Sequence, residues 1–237
     1  MSLGDDIRSD VDKLVGTPWT TRNGYVVPGT DDVKLYSNDA VKLDAVYLYA
    51  DLLGSTKLAR EFRPETAGKV LRASLRTASQ IIKRKGGEIR SYDGDRVMAI
   101  FIGKSKNSSA AIAALQINYA ITSIVQPALY TKLPHLQRDG FELTMCVGIA
   151  SGEAFIARAG VRDSSDLVSI GRAPNVAAKL SDVREPHQHA TYITADVYKM
   201  LSPEAKLADG TDMWEARGSD IGGEWMTIYR SNYCWGL

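Results

Sequence analysis

The chain has 237 residues, with 29 lysines and arginines against 28 aspartates and glutamates, for a formal net charge of +1. That balance excludes a global attraction to nucleic acid or to an anionic membrane, so any basic site must be local. A hydrophobic share of 44% with 24% charged residues is the usual mix of a globular chain able to bury a core, and the length, between one domain and two, suits one compact α/β unit with terminal extensions.

The first 40 residues read as an extension. Asp5 to Val15 suits a short helix, and Pro18, Asn23-Gly24 and Pro28-Gly29 are turn signals. This segment is expected to strap onto the domain or onto a partner subunit. It has neither the basic n-region nor the apolar h-region of a secretory signal. Two cysteines, Cys146 and Cys234, imply no disulfide framework. A reducing cytoplasm is the expected compartment.

At AVYLYADLLGST the pattern becomes that of a strand: Val46, Leu48 and Ala50 alternate with Tyr47, Tyr49 and Asp51. Residues two apart share a face, so Tyr49 and Asp51 point the same way at the strand's end. A helix is expected from Ser55 or Thr56 to about Lys85, broken at Pro64. GGEIRSYDGDRVMAIF reads as a hairpin turning at Asp93-Gly94. The stretch from Ser108 to Thr131 has no charged residue. Its Gln116, Asn118, Gln126 and Pro127 suit a buried helix better than a membrane span. FELTMCVGIASGEAFIARAG reads as two strands around Ser151-Gly152. A helix begins near Ala173-Pro174, HATYITADVYKML reads as strand then short helix, and WEARGSDIGGEWMTIYRS as a hairpin. The order, roughly βααββαββαβαββ, predicts a mixed sheet with helices packed against it, an α/β sandwich rather than a doubly wound fold.

Two carboxylates stand out. Asp51 closes the first strand and Asp95 follows the turn, 95 − 51 = 44 positions later. Carboxylates at the ends of adjacent strands suit hard divalent ions, and two such ions a few ångströms apart can activate an attacking oxygen and stabilise a leaving one. The turn at LLGST, leading into a helix, offers free N–H groups to a triphosphate. Aspartates in such places are also ordinary turn residues, and spacing alone does not decide between the two.

Four blocks, AVYLYADLLGST, GGEIRSYDGDRVMAIF, CVGIASGEAF and IGRAPNVAAKL, occur in the order and spacing of the class III adenylate and guanylate cyclase catalytic domains. The resemblance covers about residues 44 to 230. It implies the ferredoxin-like, mixed and mainly antiparallel class III fold over residues 41–237, after an N-terminal extension of 1–40. It also implies a homodimer with composite active sites and two Mn²⁺ or Mg²⁺ ions held by Asp51, Asp95 and the backbone carbonyl of Leu52. Asn175 matches the asparagine that stabilises the substrate ribose from the other subunit. Lys179 stands where the family has an arginine for the transition state, and so keeps the charge without the bidentate fork. The two are four apart on the predicted helix and share a face. Arg217 resembles a basic residue that grips the terminal phosphates. Lys57 and Arg60 suit exposed helix positions as well as they suit phosphates. The implied reaction is in-line attack of the ribose 3′-oxygen on the α-phosphorus, with pyrophosphate leaving.

The base-reading positions depart from the purine cyclases. Ser91 and Val168 replace the lysine and aspartate that read adenine, and the guanine-reading glutamate and cysteine are absent. Tyr49 and Arg96 are bulky residues on the nucleotide side that would shrink the pocket and add donors; a sheet residue packing on a helix and a surface strand residue suit them equally well. With its N-terminal segment and its ADL-x-x-ST block, the chain resembles the pyrimidine cyclases of bacterial Pycsar antiphage systems. That implies a cyclase of UTP or CTP whose product activates a cyclic-nucleotide-dependent effector. Uracil offers two carbonyl acceptors, so a donor-rich pocket puts UTP ahead of CTP. The alternatives are a purine cyclase or a catalytically silent dimerisation or nucleotide-sensing module. A diguanylate-cyclase palm is set aside because SYDGDRV does not replace its GG[DE]EF turn. His135, His187 and His189 read as solvated loop residues without a third metal ligand. Lys83-Arg84-Lys85 reads as a helix end.

Overall fold

The breaks predicted before Ser55, at Pro64 and at Asp93-Gly94 each have a local cause in the computed structural model, which describes residues 2–185 and 188–237. Helix α1 (Leu3–Gly16) starts from a Ser2–Asp5 capping box. It is followed by β1 (Thr20–Asn23), a 3₁₀ turn at Thr30–Asp32 and the long strand β2 (Asp39–Leu52). Gly54, at φ +76°, takes the left-handed conformation that turns β2 into α2 (Ser55–Glu61). Pro64 then occupies the first turn of α3 (Pro64–Arg84), as the predicted break requires. The hairpin is β3 (Glu88–Asp93) and β4 (Arg96–Phe101), with Gly94 at φ +59° in its turn. Next come α4 (Lys106–Ala120), a π-helical turn (Ile121–Val125), α5 (Gln126–Lys132) and α6 (Pro134–Arg138). The chain continues through β5 (Met145–Val161), β6 (Ser164–Ile170), α7 (Arg172–Ser181), β7 (Thr191–Thr194), α8 (Ala195–Lys199) and α9 (Pro203–Lys206). It ends with the small pair β8 (Leu207–Ala208) and β9 (Thr211–Asp212), then β10 (Glu215–Asp220) and β11 (Trp225–Ser231).

The described residues fall into two units. The smaller joins residues 2–44 to Gly152–Arg172. There β1 pairs in parallel with the start of β2, and β5 pairs antiparallel with β6 from Phe155↔Ile170 to Val161↔Ser164. Trp19 meets Phe155 edge-on, with ring centroids 4.7 Å apart. The side-chain amide of Asn38 donates to the Leu14 carbonyl at 2.8 Å, which ties down the end of α1. No residue of α1 is buried.

The larger unit, Ala45–Ser151 with Ala173–Leu237, holds the strand order β10-β11-β7-β5-β2-β4-β3. In this row β5 and β7 pair in parallel, while β10–β11, β11–β7, β2–β4 and β3–β4 are antiparallel. One face of β2 (Val46, Leu48, Ala50, Leu52) enters the core with Val70, Ala78 and Ile82 of α3 and Ala110, Ala114 and Ile117 of α4. The α3 positions recur at helical spacing, so that helix buries one stripe. The helical run Lys106–Lys132 is long and apolar enough to cross a membrane, but 67% of its apolar window is buried inside the molecule. It is the central core helix of this unit. Gly148 on β5 lets α7 come close: a Cβ there would lie 2.2 Å from the Ala177 carbonyl oxygen.

The mixed, mainly antiparallel sheet with packed helices is the fold class read from the sequence. Two local readings differ. Ser151-Gly152 does not turn; β5 runs unbroken from Met145 to Val161, and its later part is held in a ladder with β6. Strand β6 itself has no signal in the sequence. Its residues alternate between exposed (Ser164, Asp166, Val168, Ile170) and half-buried (Ser165, Leu167, Ser169), so polar and apolar side chains are mixed on both faces and no apolar stripe marks it.

Candidate active site

Asp51 sits directly opposite Arg96 in the β2–β4 ladder, and Asp93 lies opposite Arg96 on the other side. All three therefore share one face of the sheet. The turn adds Asp95. Its carbonyl accepts a hydrogen bond from the Leu52 N–H at 3.3 Å, which locks the end of β2 to the hairpin turn. These residues line a cavity of about 460 Å³ with Gly54, Ser55, Thr56, Asp182 and Arg184.

The electrostatics mark this place. The Asp51 side chain is only 13% exposed. Burial, and then the nearby Asp95 carboxylate, push its pKa above the ordinary value of 3.8, against a hydrogen bond from Arg184. A buried carboxylate with a second one beside it is a fit for a hard cation, and carboxylate oxygens are the donors Mg²⁺ or Mn²⁺ takes. Among the described residues no group of three or more His, Cys, Asp or Glu side chains could hold a metal. Two carboxylates with free room beside them suit Mg²⁺, which is commonly bound through one or two carboxylates together with phosphate oxygens.

Tyr49 is two residues before Asp51 on the same face, and opposite Met98. Arg96 is thus its diagonal neighbour, and the guanidinium carbon lies 5.4 Å from the Tyr49 ring centroid. An ion pair with Asp93 at 3.2 Å holds the guanidinium from the other side. Burial raises the Tyr49 hydroxyl pKa, so that hydroxyl is a neutral donor at physiological pH.

Asn175 and Lys179 are both exposed, four positions apart on α7, and neither lines the aspartate cavity. Lys179 donates to the Gly222 carbonyl at 3.4 Å. It lines a second cavity of about 370 Å³ with Asp182, Arg184, Glu185 and Arg217. Arg217 is held there by Glu185 at 3.0 Å, a carboxylate that also binds Arg230 at 2.6 Å. Ser91 is exposed on β3 opposite Met98, in the same row as Tyr49. Val168 is on β6 of the smaller unit, opposite Ala157 and 40% exposed. Lys57 and Arg60 pair with Glu61 on the surface and do not line the aspartate cavity.

No family model matches the chain. A uridylate cyclase of Rhodovulum sp. (strain MB263) is 42% identical over 235 residues, 98% of this chain and 97% of that one. A uridylate cyclase of Burkholderia cepacia is 42% identical over 236 residues, 99% of each chain. The chain belongs to the uridylate cyclase family. Its fold is shared with the solved adenylyl cyclase CyaB from P. aeruginosa, at a TM-score of 0.62 and 22% identity over 81% of this chain and 95% of that one.

Sequence reasoning missed Arg184, Asp182 and Glu185. Arg184 reaches Asp51 at 3.0 Å across 133 positions of chain, and no local pattern carries that relation. The histidines also differ from their reading as solvated loop. His135 lies in α6, with its Nε2 3.3 Å from the Thr66 hydroxyl. His189 is 16% exposed, beside Glu215 at 3.8 Å and edge-on to Tyr192. His187 lies outside the described residues. Both cysteines are free, Cys146 buried and Cys234 exposed.

Proposed function

We propose that this protein is a uridylate cyclase, converting UTP to 3′,5′-cyclic UMP and pyrophosphate. The observation that carries the reading is the meeting of Asp51, Asp95 and Arg96 at one cavity, with Arg96 against Tyr49, in a chain 42% identical to uridylate cyclases along nearly its whole length. Divalent ions, Mn²⁺ or Mg²⁺, supply at such a carboxylate pair the activation of the attacking hydroxyl and the neutralisation of phosphate charge.

The chain's own residues do the rest. Asp51 and Asp95, with the Leu52 backbone, hold the cations. The row from Tyr49 through Arg96 walls the base side, narrows it against a purine, and presents N–H and O–H donors to the two carbonyls of uracil. In sequence, Ser91 and Val168 stand where purine cyclases carry the charged residues that read the base. Asn175 and Lys179 lie outside the aspartate cavity of their own chain, which fits a homodimer in which each copy lends them to the other's site. There Asn175 orients the ribose and Lys179 stabilises the charge that builds on the α-phosphate. Arg217 grips the terminal phosphates, once drawn from Glu185. The product serves as a second messenger for a cyclic-nucleotide-activated effector in antiphage defence, and the cytoplasm is the place for both.

The test is pyrophosphate release from UTP with Mn²⁺. Asp51→Asn is expected to abolish it, and full activity in that variant would overturn the assignment of the site.

A further inference from the structure

We propose that Arg184 is the resident counter-cation of Asp51, displaced when a divalent ion arrives and then free to grip the phosphate chain of the nucleotide. The inference rests on the reading of Asp51 and Asp95 as the cation site.

Asp51 is nearly enclosed, and a second carboxylate, Asp95, lines the same cavity. A carboxylate so placed needs a positive partner. Arg184 supplies it: one terminal nitrogen donates to Asp51 at 3.0 Å and also pairs with Asp182 at 3.2 Å. The other donates to the Ser181 and Val183 carbonyls at 3.2 and 3.0 Å. All three of these last partners lie within three residues of Arg184. The contact with Asp51 is the one that reaches the metal site.

The two partners are unequal. Arg184 is 47% exposed and Asp51 only 13%. Removing the guanidinium from Asp51 returns a weakly hydrated, half-solvated cation to water and to its local acceptors. Leaving Asp51 bare does not have that relief. A divalent ion on Asp51 supplies more charge than Arg184 does, and repels it at short range. Exchange of one for the other is therefore the natural fate of this ion pair.

The released arginine has a destination. Arg184 lines both the aspartate cavity and the second cavity beside it, where Lys179 and Arg217 also point. A guanidinium has five donors in a planar fork that matches phosphate oxygens. It also makes good in this chain what Lys179 lacks, since an ammonium cannot bind in that bidentate way. Arg184 in this role is a phosphate-binding residue that doubles as a guard on the empty cation site. Free metal binds weakly until phosphate arrives with it.

Titration calorimetry on the full-length protein tests the exchange with two probes, Mn²⁺ alone and inorganic tripolyphosphate premixed with Ca²⁺. Arg184→Met keeps the aliphatic stem and removes the charge. It is expected to bind Mn²⁺ about tenfold more tightly than the wild type and calcium tripolyphosphate about tenfold more weakly. A role confined to bracing the loop would not move the two affinities in opposite directions. Arg184→Lys, which keeps a cation without the fork, should hold Mn²⁺ affinity near the wild-type value while still losing tripolyphosphate. It carries the test if the methionine variant does not fold. Unchanged or weaker Mn²⁺ binding in Arg184→Met, with binding abolished in Asp51→Asn, would overturn the exchange and leave the cation site standing. Wild-type Mn²⁺ affinity in Asp51→Asn would overturn both.

Discussion

The guanidinium of Arg96 lies against the face of the Tyr49 ring, 5.4 Å from carbon to centroid, because the β2–β4 register makes the two residues diagonal neighbours. Each fixes the other. The ring offers its negative face to the cation, and Asp93 holds the far side of the fork. Arg96→Gln removes both contacts and the charged donors. It is expected to lower kcat/KM for UTP by more than tenfold, with a smaller loss in binding of calcium tripolyphosphate, which has no base. Tyr49→Phe keeps the ring under Arg96 and should cost less than Tyr49→Ala. Steady-state kinetics on the three variants check this ordering; equal losses in all of them would contradict it.

A shared active site makes a separate prediction. Asp51→Asn and Asn175→Ala should each be inactive alone. Mixed in equal amounts and allowed to exchange subunits, half of the dimers are hybrids and each hybrid has one intact site. Activity should return to roughly a quarter of the wild type. No recovery under conditions where exchange is seen by mass would contradict the composite site.

The close approach of α7 to β5 depends on Gly148. A Cβ there would meet the Ala177 carbonyl oxygen at 2.2 Å and the Ser181 N at 2.3 Å, both backbone atoms that cannot rotate away. Gly148→Ala is expected to destabilise the fold by about 1–3 kcal/mol, the usual range for overpacking. The melting temperature should fall by about 2–4 °C per kcal/mol. Because α7 carries Asn175 and Lys179 and leads to Arg184, activity should fall further than stability alone explains.

Thiol labelling offers a check on the packing. Burial raises the Cys146 pKa to about 12, and the thiolate is the reactive form. At pH 8 only about one Cys146 in ten thousand is ionised. Iodoacetamide should therefore modify exposed Cys234 and spare Cys146 until the protein unfolds, as peptide mass spectrometry will show. Labelling of both at equal rates in the native state would contradict the buried position.

How far these features were legible in the sequence follows from how local each one is. The places of Asp51 at a strand end and of Asp95 after an Asp-Gly turn were legible as local signals, whereas reading the two as a cation pair came from the resemblance to the cyclase blocks. The break at Pro64 was legible for the same reason. Tyr49 and Asp51 could be put on one face by alternation alone, whereas the position of Arg96 over the Tyr49 ring needed the register between strands. Strand β5 was misread at Ser151-Gly152 because turn-prone residues also occur in strands when a neighbouring ladder holds them, as β6 does further along. Arg184 was not legible. Flanked by Asp182 and Glu185 in a post-helical segment, it looks like solvated charge, and its partner Asp51 lies 133 positions away.

The most direct test of the central claim is a product assay. Purified protein with Mn²⁺ is given ATP, GTP, CTP and UTP separately, and the products are identified by mass spectrometry. Cyclic UMP as the dominant product, lost in Asp51→Asn, is the predicted result. A cyclic purine as the dominant product would contradict the reading of Tyr49 and Arg96 as the wall of a pyrimidine site.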